Sequence, residues 1–449
     1  MEKSGKFRLT SLERNWILYD VGNSAFVLMV ATLIPIFFNA LAEAGGLSSV
    51  EYLAYWGYAS SAVTVITAVL SPILGTVADT KGFKKPIFIL CVFVGIVGCC
   101  AMGAASAWLP FLVIFVIAKV GFSGSLVFYD SMLSDVTTPE RMDEVSSRGY
   151  AWGYIGSCVP FVVCLGLVLG AGSIGISQMT ALNLALLLTA AWWLLTTLPL
   201  LKSYKQLHYV EVEKHAVRQS FARIGHTLRH LPEDKQVFWF LLAFFCYIDG
   251  VYTIIDMATA YGTALGLDTT GLLLALLVTQ IVAFPSALIF GRLSNKYPSA
   301  KLIPVCIAAY AGIAVFAFFL TQQWQFWVLA VIVGMFQGGV QALSRSHFAK
   351  IIPPEKSGEY FGLFDICGKG ASFLGTMIVS VRRPRKSIFK RPRRSISTML
   401  NWVTGRPSLV DSGTYSVAGS RVMTTPAAWV EAWRGMPSTF SEVSISSCT

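Results

Sequence analysis

Charged side chains are scarce in this sequence. Only 13% of its 449 residues are Asp, Glu, Lys or Arg, whereas 55% are hydrophobic, and the mean hydropathy is +0.62. Soluble domains carry about 25% charged residues. The composition therefore argues against an ordinary soluble enzyme or binding domain and favours a protein that crosses a membrane.

Motifs of several other protein classes are also missing. The nine cysteines form no CxxC pair, so we interpret them as small apolar residues of the predicted spans, Cys448 excepted, rather than metal or redox groups. No GxxxxGK[ST] loop occurs, which disfavours an ATP-driven pump. No nucleophile–base pairing is recognisable, and we expect neither an enzyme nor a cofactor.

Eleven apolar stretches have the length of about 20 residues that a helix needs to cross a bilayer. They cover residues 16–41, 52–77, 86–105, 110–133, 149–170, 179–201, 237–262, 269–291, 301–320, 326–348 and 359–381. The first is too long for the core of a signal peptide and has no convincing cleavage site, so we expect it to remain as the first span. The sequence predicts an all-α polytopic membrane protein.

Among the connections between these spans, only alternate ones contain lysine or arginine. Five connections lack both residues: Leu41–Glu51, Ala105–Pro110, Ala171–Gln178, Thr263–Asp268 and Thr321–Gln325. The N-terminal arm and the remaining connections carry Lys3, Lys6, Arg8, Arg14, Lys81, Lys84, Lys85, Arg141, Arg148, the run from Lys202 to Lys235, Arg292, Lys296, Lys301, Arg345, Lys350 and Lys356.

This asymmetry follows the positive-inside rule, by which cations stay on the cytoplasmic side. It predicts an integral protein of the cell membrane with a cytoplasmic N-terminus. The formal net charge of +11 is then explained by topology, so membrane lipid is the expected surface partner and nucleic acid is not. We expect a monomer.

Short motifs repeat six spans apart. Residues 138–141 read TPER and residues 353–356 read PPEK, each shortly before a span, and the loop from Gly75 has a weaker copy from Gly291. Two related six-helix halves joined by a basic linker form a transporter architecture. The predicted organisation is an N-terminal half at 1–201, a linker at 202–236, a C-terminal half of five spans at 237–381, and a tail at 382–449.

The loop after the second span carries Gly75, Asp79, Gly82, Lys84 and Lys85 in the pattern GxxxDxxGxKK. Glycine permits a tight turn and close approach of helices, and an aspartate can meet a helix N-terminus or a basic partner across the interface. We predict a latch that holds the two halves together and stabilises an outward-facing state. The alternative is a short basic turn without such a role. The spacing resembles the signature loop of the major facilitator superfamily.

Five further segments carry a finer resemblance: Asn15–Phe26, Tyr129–Leu133, Val145–Ser157, Gln337–Ser346 and Phe361–Lys369. Together they resemble the branch of that superfamily that includes the vacuolar amino-acid effluxers of autophagy and their bacterial relatives. The similarity runs from about residue 12 to 380. It implies a twelve-span carrier, for which amino-acid export is the best-known activity.

Ionisable residues inside a bilayer are costly and mark candidate functional sites. In facilitator-type folds, spans one, four, seven and ten line the central cavity. The candidates for a substrate or ion pathway in these spans are Asp20, Asn23, Lys119, Asp130, Asp249, Asp256, Gln337 and Gln341. We expect Lys119 and Asp249, near the middle of the membrane, to contact a solute or a proton.

Some of these charges have a structural alternative. Asp20 and Asp130 lie near the cytoplasmic ends of their spans, where they could pair with Arg148, Arg141 or Lys84. Such pairing would make them part of the scaffold rather than of the solute pathway.

Two other polar pairs have helical i, i+4 spacing. Asp365 and Lys369 are predicted to form a structural ion pair on one helix. His226 and His230, in the linker, could bind a metal, but no carboxylate or cysteine completes a ligand set, so we favour a solvated helix face and expect no metal site.

The apolar periodicity and the family resemblance both stop near Ser380. Residues 382–449 hold eleven basic residues against three acidic ones, a net charge of +8. An eleventh span would deliver this cluster to the outer face, against the charge rule. We interpret the tail as a frameshifted or truncated segment in place of a twelfth span. The alternative is a polybasic tail that binds anionic lipid, which requires an eleventh segment that does not cross.

The sequence thus predicts a secondary active transporter of a small polar solute that works by alternating access. An amino acid is the favoured solute, with a proton or sodium as the candidate coupling ion. The alternatives are a cation-coupled sugar carrier and a truncated remnant without activity.

Overall fold

The computed structural model describes residues 7–211, 224–227, 229–264 and 269–381. Side chains within these ranges are described except at residues 49, 50, 53, 256–264, 269, 270, 273 and 371–381. The tail at 382–449, including Cys448, lies outside the described residues, as do the side chain of Asp256 and residues 212–223 and 228 of the predicted linker.

The described chain is almost entirely helical. Its helices are α1 (Ser11–Ala31), α2 (Leu33–Ala44), α3 (Ser49–Ala78), α4 (Lys84–Gly103), α5 (Trp108–Ser131), α6 (Leu133–Val136), α7 (Met142–Leu169), α8 (Ala171–Ile174), α9 (Gln178–Ser203), α10 (Lys235–Ala264), α11 (Thr269–Leu293), α12 (Ser299–Phe318), α13 (Gln323–Ile351) and α14 (Ser357–Val381). A short 3-10 turn, Pro354–Lys356, precedes α14.

Ten helical segments within the described residues are long and apolar enough to cross a membrane, with α1 and α2 counted together. The helix α14 stands where the eleventh span is predicted. The predicted first span therefore corresponds to α1 and α2 and each of the other ten to one helix, although the fifth starts at Met142 rather than at residue 149.

Local sequence explains where the first spans begin and bend. Thr10 and Glu13 form a reciprocal capping box at the start of α1, which satisfies backbone N–H groups that have no helical partner. The predicted first span is interrupted at Thr32, between α1 and α2. Pro35 accounts for the break, because its ring lacks an N–H and clashes with the carbonyl of residue 31 in a continuous helix.

Two clusters of buried apolar residues hold the bundle together. The first joins mainly α1–α9 and contains the stacked rings of Phe26 and Trp193. The second joins mainly α10–α13 around Phe244, Leu302 and Phe326. Large apolar side chains such as that of Phe93 remain exposed, as expected for a surface that faces lipid tails.

The helices α3 and α14 cross at very short range. A Cβ atom added to Gly75 would lie 2.1 Å from the carbonyl oxygen of Gly358, and one added to Gly362 would lie 2.6 Å from the Cα atom of Pro72. Only glycine, which has no Cβ atom, permits this contact at residues 75 and 362. It brings the loop after α3 against the N-terminus of α14.

Candidate functional site

The candidate site lies at one end of the bundle, which we call the basic end. This end carries the start of α1, the connections that contain Lys81 and Arg141, and Lys301 in the first turn of α12. Here α1–α9 (the N-terminal helices) meet α10–α14 (the C-terminal helices) through polar and charged side chains.

Asp79 caps the N-terminus of α14. Its two carboxylate oxygens accept hydrogen bonds from the backbone N–H groups of Gly358, at 2.7 Å, and Glu359, at 2.8 Å. The side chain is fully buried. An anion at a helix N-terminus satisfies N–H groups that have no helical partner and interacts favourably with the helix dipole. The predicted partner of Asp79 is therefore present, and it belongs to the C-terminal helices.

Lys84 lies buried beside this contact. Its Nζ atom donates to Ser357 Oγ at 2.8 Å and lies 3.6 Å from carboxylate oxygens of both Asp79 and Asp135. Burial raises the pKa of Asp79 to about 6, although the Lys84 ammonium and the two backbone N–H groups oppose the shift. Gly82 adopts a left-handed φ of 79° at the turn between α3 and α4, as its conformational freedom allows.

The first residues of the linker fold back onto the same loop. Asp135 accepts a hydrogen bond from Tyr204 Oη at 2.5 Å and from the backbone N–H of His208 at 2.9 Å. Val210 exchanges backbone hydrogen bonds with Asp79 and Lys81. The segment 204–210 is thus fixed to the N-terminal helices next to Asp79.

Arg345 makes the most extensive ionic contact between the two groups of helices. This residue lies on α13 and is 2% exposed. Its Nη1 atom lies 3.0 Å from Asp130 Oδ1 and 3.7 Å from Asp20 Oδ2. Its Nε and Nη2 atoms donate to the hydroxyl and the carbonyl oxygen of Ser146 at 2.9 and 3.0 Å.

Aromatic rings enclose the same guanidinium group. Its central carbon lies 4.7 Å from the ring centre of Trp16, 5.4 Å from that of Tyr129 and 4.3 Å from that of Tyr150. Tyr129 also donates its hydroxyl hydrogen to Asp20 at 3.1 Å. Gly149 leaves room for this arrangement, since a Cβ atom there would lie 3.0 Å from Nη2 of the arginine.

The partners that the sequence suggested for Asp20 and Asp130 are wrong. Arg141 pairs instead with Glu13 at 2.7 Å. Arg148 pairs with Glu144 at 2.6 Å along its own helix. Lys84 pairs with Asp79 and Asp135. Each of these three cations lies beside another carboxylate, which leaves Arg345, more distant in sequence, to neutralise the pair.

A further polar contact at the basic end involves the weaker copy of the loop, which begins at Gly291. Gly291 packs on α7, where a Cβ atom would lie 2.8 Å from Ser147 Cβ. Asn295, four residues later, donates to Glu144 at 2.7 Å. The spacing equals that of Gly75 and Asp79, but the carboxylate now belongs to the helix and the donor to the loop.

The remaining pathway candidates are spread over the bundle. The hydroxyl group of Tyr154 donates to Gln341 at 2.8 Å and joins α7 to α13. Gln337 is buried on α13. Asn23 donates to the backbone of Tyr19 at 3.3 Å and approaches Asp20 at 3.5 Å.

Lys119 lies on α5 among aromatic rings. Its Nζ atom is 4.7 Å from the ring centre of Phe122 and 5.9 Å from that of Phe26. Asp249 lies on α10 next to the buried Ile248. Their contact with a solute or a proton stays a prediction.

Asp365 and Lys369 lie 2.7 Å apart on α14. Asp365 also accepts a hydrogen bond from Ser71 of α3 at 2.8 Å, so the pair contributes to the contact between the two groups of helices. The rings of His226 and His230 stack at 3.9 Å. No group of three His, Cys, Asp or Glu residues that could hold a metal occurs among the described residues.

The pairing of Arg345 with Asp20 and Asp130 is not predicted from the sequence, because Arg345 is grouped there with the cations of the basic connections. The signal that could have found it is charge balance: Asp20 and Asp130 need a cation, and α13 continues to Ile351, which places Arg345 nearly two turns inside the helix.

Comparison with known proteins identifies relatives. The family model described as "Vacuole effluxer Atg22 like" matches residues 11–139 and 133–383. The uncharacterized MFS-type transporter YxiO of Bacillus subtilis (strain 168) is 41% identical over 379 residues, which are 83% of this chain and 89% of that protein. Autophagy-related protein 22 of Coccidioides immitis (strain RS) is 26% identical over 292 residues, covering 55% of this chain and 48% of that protein. The match thus spans about half the length of the fungal relative.

Solved structures of transporters share the fold. The human organic anion transporter MFSD10 (TETRAN) aligns with a TM-score of 0.63 at 13% identity, covering 82% of this chain and 92% of that one. A bacterial homologue of the iron transporter ferroportin, in an outward-facing state, aligns with a TM-score of 0.58 at 15% identity over 81% and 90% of the two chains. The predicted major-facilitator fold is confirmed.

Proposed function

The chain belongs to the Atg22-like family of major facilitator superfamily transporters, and from this premise we propose that it exports an amino acid by alternating access. Family membership and the fold support the assignment of this chain as a transporter. The favoured solute comes from the effluxer description of the family and from the resemblance to vacuolar amino-acid effluxers.

The observation that carries the mechanism is the contact of Arg345 with Asp20 and Asp130. A carrier needs an interface that can close tightly and then open to water. An ionic contact suits this requirement, because each charge regains water when the helices part, whereas separated apolar surfaces would remain exposed at a large cost.

The basic end is the cytoplasmic side in this proposal, because its cations obey the positive-inside rule. The state described here is then closed towards the cytoplasm by Arg345 and by the contact of Asp79 with α14. The moving bodies are residues 1–201 and 237–381, and residues 202–236 join them.

Counterflow in proteoliposomes tests the proposed function. Vesicles loaded with one unlabelled amino acid are diluted into the same labelled solute, and a panel of amino acids is compared with a panel of sugars. We expect accumulation of at least one amino acid with the wild-type protein and none with protein-free vesicles. Accumulation of sugars alone, or of no solute, would contradict the proposal. Imposed proton and sodium gradients then identify the coupling ion.

A further inference from the structure

The partners of Arg345 form a cation site that is built entirely from the N-terminal helices. We call this site the socket and define it by Trp16, Asp20, Tyr129, Asp130, Ser146 and Tyr150. These residues lie on α1, α5 and α7. The cation that fills the socket comes from α13, so separation of the two groups of helices at the basic end must empty it.

An emptied socket keeps its two carboxylates. The neighbouring cations Arg141 and Arg148 stay engaged on the N-terminal helices, at 2.7 and 2.6 Å from Glu13 and Glu144. Lys84 also keeps Asp135 as a partner on the same helices. A cation from solution is therefore the natural replacement for Arg345.

The lining of the socket indicates which cation fits. Three ring centres lie within 5.4 Å of the guanidinium carbon, and such aromatic faces attract organic cations such as ammonium and guanidinium groups. Hard metal ions prefer a shell of oxygen ligands. The hydroxyl and carbonyl oxygens of Ser146 accept two N–H groups in the present state, and a solute with several N–H donors can satisfy them again.

We propose that the socket binds the ammonium or guanidinium group of the transported solute in exchange for Arg345. This inference rests on the proposed export function and names the part of the solute that is recognised. The solute enters from the open basic end and places its cationic group between Asp20 and Asp130. Closure returns Arg345 to the socket and displaces the solute towards the other end. Arg345 and the cationic group of the solute thus compete for the same socket, and Arg345 does so from within the protein.

The first test uses free guanidinium as the probe. The variant Arg345→Ala, purified as the full chain, is heated with 20 mM guanidinium chloride, 20 mM sodium chloride or 20 mM urea, a neutral molecule of the same shape. We expect guanidinium alone to raise the unfolding temperature, by about 2 °C or more, because a ligand stabilises the state that binds it. In the double variant Asp130→Asn/Arg345→Ala the rise should disappear. Equal effects of guanidinium and sodium, or an undiminished rise in the double variant, would overturn the proposal.

A second measurement uses the native socket, in case Arg345→Ala fails to fold. Spin labels are placed on cysteines that replace Lys202 and Lys301, two exposed residues at the basic end, with the native cysteines replaced. We expect 20 mM guanidinium, but not urea or sodium, to increase the population with a longer distance between the labels. An increase of the longer-distance population with sodium or on acidification, and none with guanidinium, would assign the socket to a coupling ion and overturn the proposal.

The solute itself provides the last comparison. An amino acid active in counterflow should increase the longer-distance population as guanidinium does, whereas its N-acetyl derivative, which lacks the ammonium group, should not. Equal increases with both compounds would overturn the socket as the ammonium site while leaving amino-acid export intact. Guanidinium binding without amino-acid counterflow would support the socket and contradict only the proposed solute.

Discussion

Gly75 and Gly358 touch backbone to backbone, so closely that a methyl group on Gly75 would lie 2.1 Å from the carbonyl oxygen of Gly358. This contact sets the distance between α3 and α14 at the basic end. It also allows Asp79, one turn further along, to reach the N–H groups of α14. The hydrogen bonds of Asp79 therefore depend on a glycine four residues before it.

Gly75→Ala should hold the basic end open. The added methyl group meets backbone rather than a flexible side chain, so the two helices must separate. We expect the longer distance between labels at Lys202 and Lys301 to dominate and transport to fall at least tenfold. The matched control is Gly57→Ala on the same helix, where nothing lies within 4 Å of the added Cβ atom. Equal behaviour of the two variants would show that the contact does not control closure.

Asp79→Ala should impair transport while expression and membrane insertion stay normal. The change removes two charge-assisted hydrogen bonds, each worth about 1.5–3 kcal/mol, and one partner of the buried Lys84. The expected shift towards the open basic end is tenfold or more. Lys81→Ala is the control, because Lys81 forms an exposed ion pair with Glu211 and such pairs contribute little. Transport at the wild-type rate with wild-type protein levels in Asp79→Ala would exclude the latch.

Acidification should favour the closed basic end. The pKa of Asp79 is raised to about 6 in the closed state, whereas the open state exposes the side chain to water, where the ordinary value is about 3.9. The closed state therefore binds more protons between these values, and closure strengthens as the pH falls through 6 and levels off near 4. From pH 7 to pH 5 we expect a shift of up to about tenfold in the spin-label populations. Asp79→Asn should remove it, and a shift of the opposite sign would contradict the assignment.

Arg345→Lys should abolish most transport although the charge is kept. A lysine cannot place N–H donors on Asp130 and on both oxygens of Ser146 while its cation stacks on three rings. We expect a loss of more than tenfold in counterflow. Arg148→Lys, which retains an i, i+4 pair with Glu144, is the control and should stay within about twofold of the wild type. Similar losses in both variants would contradict a special role for Arg345.

Lys119 and Asp249 are best tested by neutral replacements of similar size. If they contact a solute or a proton, Lys119→Met and Asp249→Asn should change solute affinity at least tenfold or move the pH profile of counterflow. Isothermal titration and counterflow at several pH values measure these effects. Unchanged solute affinity and an unchanged pH profile in both variants would show that the two residues have only a structural role.

The sequence predicts the helices well because bilayer length and apolar composition set them locally. The interruption of the first span at Thr32 was missed, although Pro35 contains the necessary information. The pattern of its loop suggests a helix N-terminus or a basic residue as the partner of Asp79, but the identity of the helix depends on the approach of Gly75 to Gly358, which connects distant parts of the chain.

Ionic partners were harder to predict than helices. Arg141 and Arg148 are nearer in sequence to Asp130 than Arg345 is, yet Arg141 pairs with Glu13 of α1 and Arg148 with Glu144 of its own helix. Pairing between helices depends on which of their faces meet, and the order of residues along one helix does not determine it. The pairing of Arg345 with Asp20 and Asp130 arises because α13 packs where its side chain reaches α1 and α5.

The anchoring of residues 204–210 on the N-terminal helices has a mechanical consequence. In the proposed cycle these residues move with the N-terminal helices, because Asp135 and Asp79 hold them through hydrogen bonds from the backbone of His208 and Val210. The connection between the two moving bodies therefore begins after Val210 and not at the end of α9. Opening of the basic end separates Asp79 from α14, while its backbone contact with Val210 stays in place.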